Sequence, residues 1–214
     1  MHANIFFMKA LLFAAMVPIL FSLTAVAQDE KTVNEDGLYG GISFGTWFPD
    51  NVNKVLGSPL LLGPTLFGKI GKNSWGFTFD LIGWPQHTTK QPINIKVHDT
   101  VLSQDEFYGM HVTLDYARQL AVKGRFIFEG VGSAGYGRLS YYNPDKDTNI
   151  GKASIVFMPG VSLRYLVNRR SYWQLKIQYC FTNYKMHDNV STNFKGNYLI
   201  MKLIIGKTPY RGDD

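Results

Sequence analysis

The sequence lacks the features of several common protein classes. It contains a single cysteine, Cys180, among 214 residues, so no intrachain disulfide can form. Only 18% of the residues are charged, and no run of Lys and Arg interleaved with aromatics suggests a nucleic-acid groove, despite a formal net charge of +6. Long helix-forming stretches are hard to find beyond residue 27. These absences disfavour a disulfide scaffold, a nucleic-acid-binding protein and a helical fold.

A nearly continuous apolar run occupies residues 10–26 and follows Lys9. It ends in Ala25, Val26 and Ala27, the small residues that precede a signal-peptidase site, and an acidic, polar segment comes next. A transmembrane anchor is the alternative interpretation. We expect residues 1–27 to be a cleaved secretory signal peptide and residues 28–36 to be a polar tail.

The remaining chain is rich in aromatic residues (14%) and in glycine (21 residues), and its clearest pattern lies at residues 173–182. Bulky apolar side chains occupy one face of an alternating segment: Trp173, Leu175, Ile177, Tyr179 and Phe181. The other face carries Gln174, Lys176, Gln178, Cys180 and Thr182. About ten residues is the length that a tilted β-strand needs to cross a bilayer.

Similar alternation recurs at residues 38–48, 62–70, 75–82, 108–117, 126–141, 154–165 and 198–205. Pro64 weakens the second of these strands, because proline removes a donor from the ladder. The predicted long connections are 49–58, 85–105, 143–151 and 186–194, and they alternate with short ones at 72–74, 119–124 and 168–171. Outer-membrane barrels combine short periplasmic turns with long extracellular loops. The sequence therefore predicts an all-β, eight-stranded antiparallel up-and-down transmembrane β-barrel over residues 37–214.

A soluble, lipocalin-like ligand carrier is the alternative, because alternation alone leaves open which face points inward. The polar faces consist mostly of Gly, Ser and Thr with about one charge per strand, which suits the filled interior of a narrow barrel. The apolar faces are almost free of charge within the proposed spans, as lipid requires. These compositions favour the membrane barrel.

With its signal peptide, glycine-rich first strand and alternating connections, the chain resembles the small outer-membrane β-barrel proteins of the OmpA and OmpX type. It is also similar to the barrel domains common in Bacteroidetes. The resemblance covers essentially the whole mature chain and rests on architecture, although residues 210–214 depart from the usual final aromatic. It implies a monomer in the outer membrane of a Gram-negative cell, with outer-membrane lipid and lipopolysaccharide as partners and with no nucleic acid or cofactor.

Seven charged residues have inward parity: Lys69, Asp80, Asp115, Glu129, Arg164, Lys176 and Lys202. Isolated charges are costly in a poorly hydrated interior, so this near balance predicts a structural network of ion pairs that holds the barrel shut. A proton or small-ion path is the alternative.

Aromatic residues gather at two levels of the predicted barrel, as they do in the interfacial girdles of membrane barrels. The girdle near the short turns comprises Trp75, Tyr116, Phe126, Tyr165 and Trp173. The girdle near the long connections comprises Phe48, Tyr108, Tyr136 and Tyr184.

No catalytic or metal site is predicted. His111, Asp115 and Ser162 share inward parity, but no spacing fixes a catalytic triad and a lipid could not reach them there. His87, His98 and His187 lack a metal-ligand spacing with supporting Cys or carboxylates.

The expected function is therefore a non-enzymatic outer-membrane barrel with a structural, surface-binding or envelope-assembly role. Residues 85–105 are the expected binding feature for a surface ligand or envelope protein, because rigid barrels present variable loops. A narrow channel or transporter is the competing function.

Overall fold

The computed structural model describes residues 36–49, 56–97, 100–143, 148–168, 171–184 and 194–207. The predicted signal peptide lies outside these ranges. No helix in the described part of the chain is long and apolar enough to cross a membrane.

The described residues form nine β-strands, each antiparallel to its neighbours. They are β1 (Gly37–Pro49), β2 (Leu60–Ile70), β3 (Asn73–Val97), β4 (Thr100–Lys123), β5 (Phe126–Asn143), β6 (Thr148–Asn168), β7 (Ser171–Tyr184), β8 (Phe194–Lys195) and β9 (Tyr198–Lys207). β8 is a two-residue strand that pairs only with the end of β7. The other eight are the predicted strands, and they include Pro64 in β2.

The sheet closes on itself, because β1 pairs with β2 on one side and with β9 on the other. β9 in turn pairs with β7, and β7 pairs with β6. The prediction of an eight-stranded antiparallel up-and-down barrel is confirmed.

The register fixes the tilt of the strands. A path across hydrogen-bonded neighbours that leaves β1 at Leu38 passes Trp75 and Tyr116 and returns to β1 at Phe48, ten residues further along. A stagger of ten residues over eight strands corresponds to a tilt of about 40°, within the range of closed barrels. Residues that are distant in sequence on opposite walls therefore come to one level of the barrel.

The expectation that residues 85–105 form a loop is wrong. β3 continues to Val97 and β4 begins at Thr100, so the segment is a long β-hairpin. The register shifts twice, between Ile82 and His87 and between Thr88 and Ile93. Pro85 and Pro92 lie within these two shifts. Each proline removes one ladder donor, and the ladder resumes beyond it.

Two other predicted connections are also shorter than expected. β4 runs through residues 119–123 with a bulge between Gln119 and Ala121, and Gly124 turns the chain with φ of 56°. β5 reaches Asn143 and β6 starts at Thr148, so strand replaces much of the predicted loop over 143–151. We call the end with the β2–β3 and β4–β5 turns the short-turn end, and the opposite end the hairpin end.

Burial along the strands is reversed relative to a soluble barrel. Polar side chains such as Gln174, Lys176 and Gln178 are buried, whereas large apolar side chains on the outer face are exposed. The most exposed are Ile155 (83%), Ile70 (78%) and Leu114 (71%). An apolar exterior around a polar interior is suited to lipid and disfavours the soluble carrier.

Two glycines of β2 test how closely the interior is packed. A Cβ added at inward Gly63 would overlap the Phe79 carbonyl oxygen, whereas a Cβ at outward Gly68 meets nothing within 4 Å. We expect Gly63→Ala to lower the free energy of unfolding by about 1–3 kcal/mol, because backbone atoms must move. Gly68→Ala is the matched control, and urea unfolding in detergent micelles measures both. Equal effects of the two substitutions would contradict the proposed close packing.

Candidate functional site

The seven predicted interior charges all lie inside the barrel. Asp115 is partly buried, and the other six are buried. The structure pairs six of them with one another and pairs Lys69 with Asp36, which the sequence analysis did not predict.

Asp80 and Lys202 form the pair nearest the hairpin end. Both side chains are buried, and Lys202 Nζ donates to Asp80 Oδ2. Ser43 Oγ donates to Asp80 Oδ1 at 3.1 Å. The Asp80 carboxylate of β3 therefore contacts side chains of both β1 and β9, the two strands whose pairing closes the barrel.

Asp115 and Lys176 form the second pair, at 3.0 Å between Nζ and Oδ2. Thr78 Oγ1 and Thr113 Oγ1 also donate to the Asp115 carboxylate, at 2.7 Å and 3.0 Å. The carboxylate is on β4 and the ammonium is on β7, so the pair connects walls that are not neighbours in the sheet.

Glu129 and Arg164 form the third pair, at 2.6 Å between Oε1 and Nη2. Ser162 Oγ and Gln174 Nε2 each donate to Glu129 Oε2 at 2.8 Å. Both oxygens of this buried carboxylate are thus hydrogen-bonded, which offsets much of the cost of removing it from water.

Three aromatic rings surround the Arg164 guanidinium. Its central carbon lies 4.7 Å from the ring centre of Phe67, 5.4 Å from that of Tyr39 and 5.5 Å from that of Tyr172. Among the described residues, Arg164 Nε and Nη1 have no hydrogen-bond partner. The ring faces therefore supply the remaining stabilisation of the cation. The sequence signal for this aromatic environment of Arg164 is the inward parity of Tyr39, Phe67 and Tyr172, from which the sequence analysis made no prediction.

Asp36 covers the interior at the short-turn end. Its Oδ1 accepts from Lys69 Nζ at 3.1 Å and from the Gly71 amide at 2.8 Å. The Lys69 hydrogen bond, followed by that of Gly71, lowers the pKa of the Asp36 carboxyl below its usual value. Asp36 itself is exposed, so this pair forms where the lumen meets solvent.

Apolar layers close the barrel on both sides of the charge pairs. The layer at the short-turn end comprises Tyr39, Phe67, Ile127, Leu166, Tyr172 and Ile204. The larger layer at the hairpin end comprises Trp47, Leu56, Leu61, Ile82, Phe107, Leu139, Val156, Met158, Cys180, Tyr184, Tyr198 and Ile200. A cavity of about 20 Å³ beside Asp115 and Arg164 has room for about one water molecule. The described interior is therefore packed.

Tyr184 is placed wrongly by the sequence analysis, which assigned it to the outer girdle. It is 1% exposed, and its hydroxyl lies 2.6 Å from His111 Nε2 inside the barrel. The physical reason is parity: Tyr184 is an odd number of residues from outward Trp173 and must face the other side.

The other girdle residues lie on the outer surface. At the short-turn end, Trp75 contacts Tyr116 with ring centres 4.5 Å apart, and Phe126 contacts Tyr165 at 4.9 Å. Trp173 pairs in register with Tyr165 and is 46% exposed. At the hairpin end, Tyr136 is exposed and both Phe48 and Tyr108 are half-buried.

The structure does not bring His111, Asp115 and Ser162 together as a catalytic site. His111 contacts Tyr184, Asp115 contacts Lys176 and Ser162 contacts Glu129. His98 and His187 lie outside the described residues. Within those residues, no group of three His, Cys, Asp or Glu side chains is arranged to hold a metal ion.

Solved structures share this architecture. Neisserial surface protein A superposes with a TM-score of 0.50 at 10% identity, over 79% of this chain and 93% of that one. The attachment invasion locus protein Ail of Yersinia pestis, in complex with the heparin analogue sucrose octasulfate, gives 0.43 at 14% identity, over 80% and 96%. Outer Membrane Protein W of E. coli gives 0.41 at 13% identity, over 83% and 100%.

The chain has the fold of a small outer-membrane β-barrel. No protein-family model matches the sequence, and no curated relative matches it. Together with the exposed apolar belt, the fold places the chain in the outer membrane. The specific resemblance to Bacteroidetes barrels stays a prediction.

The Asp115 pair provides a test of the interior network. We expect Lys176→Leu to lower the free energy of unfolding by about 3–5 kcal/mol, because it leaves the partly buried Asp115 carboxylate without its cation. The double variant Asp115→Asn/Lys176→Leu should recover part of that loss, and exposed Lys90→Leu is the surface control. Urea unfolding in detergent gives the values, and unchanged stability of Lys176→Leu would refute the role of the pair.

Proposed function

We propose that the protein is a non-enzymatic, non-conducting outer-membrane barrel that displays the β3–β4 hairpin at the cell surface for binding. Residues 1–27 would direct export and be removed. The observation that carries this proposal is the packed interior, with three internal ion pairs between two apolar layers.

The packing supports a closed barrel rather than a channel. Each of the three carboxylates Asp80, Asp115 and Glu129 already has a cation and at least one hydroxyl donor. A permeating ion would have to separate these pairs and also pass Trp47 and Tyr198, whose rings stack at 4.4 Å at the hairpin end. Breaking a buried pair is costly, so continuous conduction is disfavoured.

The hairpin is the part of the molecule best placed to meet a partner. β3 and β4 contain 25 and 24 residues, whereas β7 and β9 contain 14 and 10. The ladder between β3 and β4 continues to the pair Val97 and Thr100. The additional length lies at the hairpin end, and in outer-membrane barrels the end with the long connections faces outside the cell.

The residues of β3 and β4 at the base of the hairpin pack against the hairpin end of the barrel. Phe107 is 1% exposed, and its ring centre lies 5.6 Å from that of His87 and 6.4 Å from that of Trp47. Trp47 Nε1 also donates to the Gly57 carbonyl at 3.1 Å, which holds the end of the β1–β2 connection in place. Burial at this end lowers the pKa of His87, so the contact is made by a neutral imidazole at pH 7. Because its base is held in place, the hairpin would lose little conformational entropy when its exposed side chains bind a partner.

Conductance separates this proposal from the channel alternative. The purified barrel, inserted into a planar lipid bilayer, should give no steady current steps over the range in which the membrane itself is stable. Heat-modifiable migration on a gel provides the control that the inserted sample is folded. Reproducible unitary steps from folded protein would contradict the closed barrel.

An epitope insertion tests the display of the hairpin. A tag placed after Val97, at the hairpin tip, should bind antibody on intact cells, because that tip lies outside. The same tag placed between Gly124 and Arg125, in a turn of the short-turn end, should bind only after permeabilisation. The reverse pattern of labelling would overturn the proposed orientation.

A further inference from the structure

Five cationic side chains surround the short-turn end on the outer side of the barrel. Four of them are exposed and Arg125 is half-buried. We call this set the basic collar: Lys72, Arg118, Lys123, Arg125 and Lys207.

The strand register distributes the collar around the rim. Arg118 pairs with Asn73, and the Gln119 amide donates to the Lys72 carbonyl at 2.8 Å, which brings β4 against the β2–β3 turn. Lys123 and Arg125 flank the β4–β5 turn, where Arg125 Nη1 donates to the Val167 carbonyl at 3.0 Å. Lys207 ends β9, between Gly40 of β1 and Ser171 of β7.

Nothing in the described part of the chain neutralises the collar. None of its five members forms a salt bridge there, and the carboxylate outside the lumen at this end, Asp36, is already paired with Lys69. The hairpin end, by contrast, carries exposed carboxylates, Asp105 and Glu106, as well as the exposed cations Lys90 and Arg138.

The collar lies at the level of the bilayer edge. Arg118 is two residues from Tyr116 of the aromatic girdle, and Lys123 pairs in register with Phe126. Exposed apolar side chains stand between these cations, namely Leu120 (59%) and Phe128 (40%). Aromatic girdles mark the headgroup region of a membrane, so the collar cations face lipid headgroups rather than bulk solvent.

We propose that the basic collar binds the anionic headgroups of phospholipids in the periplasmic leaflet, in preference to zwitterionic headgroups. The inference rests on the proposed function, since it requires the barrel to span the outer membrane with its short turns inside. Clustered Lys and Arg at a membrane surface attract anionic lipid strongly, and the attraction weakens as salt screens it. Interleaving with Leu120, Phe126 and Phe128 disfavours a soluble acidic partner, because such a partner would leave these side chains uncovered.

Quenching of tryptophan fluorescence by brominated lipids tests the proposal. The full mature chain with Trp84→Phe is reconstituted into vesicles of phosphatidylcholine and phosphatidylglycerol, with bromine on one lipid or the other. The lipid-accessible signal then comes from Trp75 and Trp173, which are exposed beside the collar, whereas Trp47 is buried. The relative binding constant of phosphatidylglycerol over phosphatidylcholine should be about threefold or more, and should approach one at high salt.

Two matched double variants, each replacing one Arg and one Lys by Gln, test whether the collar is the source of the preference for anionic lipid. Arg118→Gln/Lys123→Gln removes one Arg and one Lys from the collar, and Lys90→Gln/Arg138→Gln removes the same pair at the hairpin end. The collar variant should bring the ratio close to one, and the hairpin-end variant should leave it unchanged. A ratio of one for the unmodified collar, or equal effects of the two variants, would overturn the inference. If neither brominated lipid quenches the signal, the barrel does not insert, and the proposed function itself fails.

Discussion

A charge enclosed in a narrow, dry barrel must have a partner of opposite sign, and this requirement organises the whole interior. Asp80, Asp115 and Glu129 each receive a Lys or Arg from another strand, together with hydroxyl or amide donors. Two of the pairs, Asp80–Lys202 and Asp115–Lys176, join strands that are not adjacent in the sheet, so they fix the cross-section of the barrel as well as neutralising charge. Replacing both members of such a pair by apolar residues is often neutral for stability, whereas removing one member alone is costly.

The two apolar layers follow from the same requirement. Ion pairs are strong only where water is excluded, and the layers at the two ends exclude it. Arg164 contacts both the ion-pair network and the apolar layer at the short-turn end. Its guanidinium pairs with Glu129, and the rings of Tyr39, Phe67 and Tyr172 surround it. The outer surface is then free to be apolar.

Much of this arrangement follows from the sequence, because period-two parity identifies the face on which a side chain lies. Parity placed the seven charged residues inside the barrel, and the number of alternating segments gave the number of barrel strands. Correct use of parity would also have placed Tyr184 inside. It could not show which charges pair, because contacts across the lumen depend on the ten-residue stagger, a property of all the strands together. Asp36 precedes the first strand, so no strand pattern pointed to it.

The hairpin shows a different limit of sequence reasoning. Pro85 and Pro92 are residues typical of loops. At a register shift, however, a proline need not supply a backbone donor, and the pairing of β3 with β4 continues beyond each proline. Whether such a segment is a loop or a ribbon depends on the partner strand, and the partner is visible only once the register is known. The polarity of these residues is what a solvent-exposed ribbon requires, so composition alone could not separate the two structures.

The closed interior is the central claim, and Cys180 reports on it directly. It is the single cysteine of the chain, is 0% exposed, and lies within the apolar layer at the hairpin end. Mass spectrometry of the folded protein in detergent, treated with a small charged methanethiosulfonate reagent, should detect no modification, and unfolding in urea should make modification complete. Rapid modification of Cys180 in the folded barrel would show that water and ions enter the lumen, and would contradict the account.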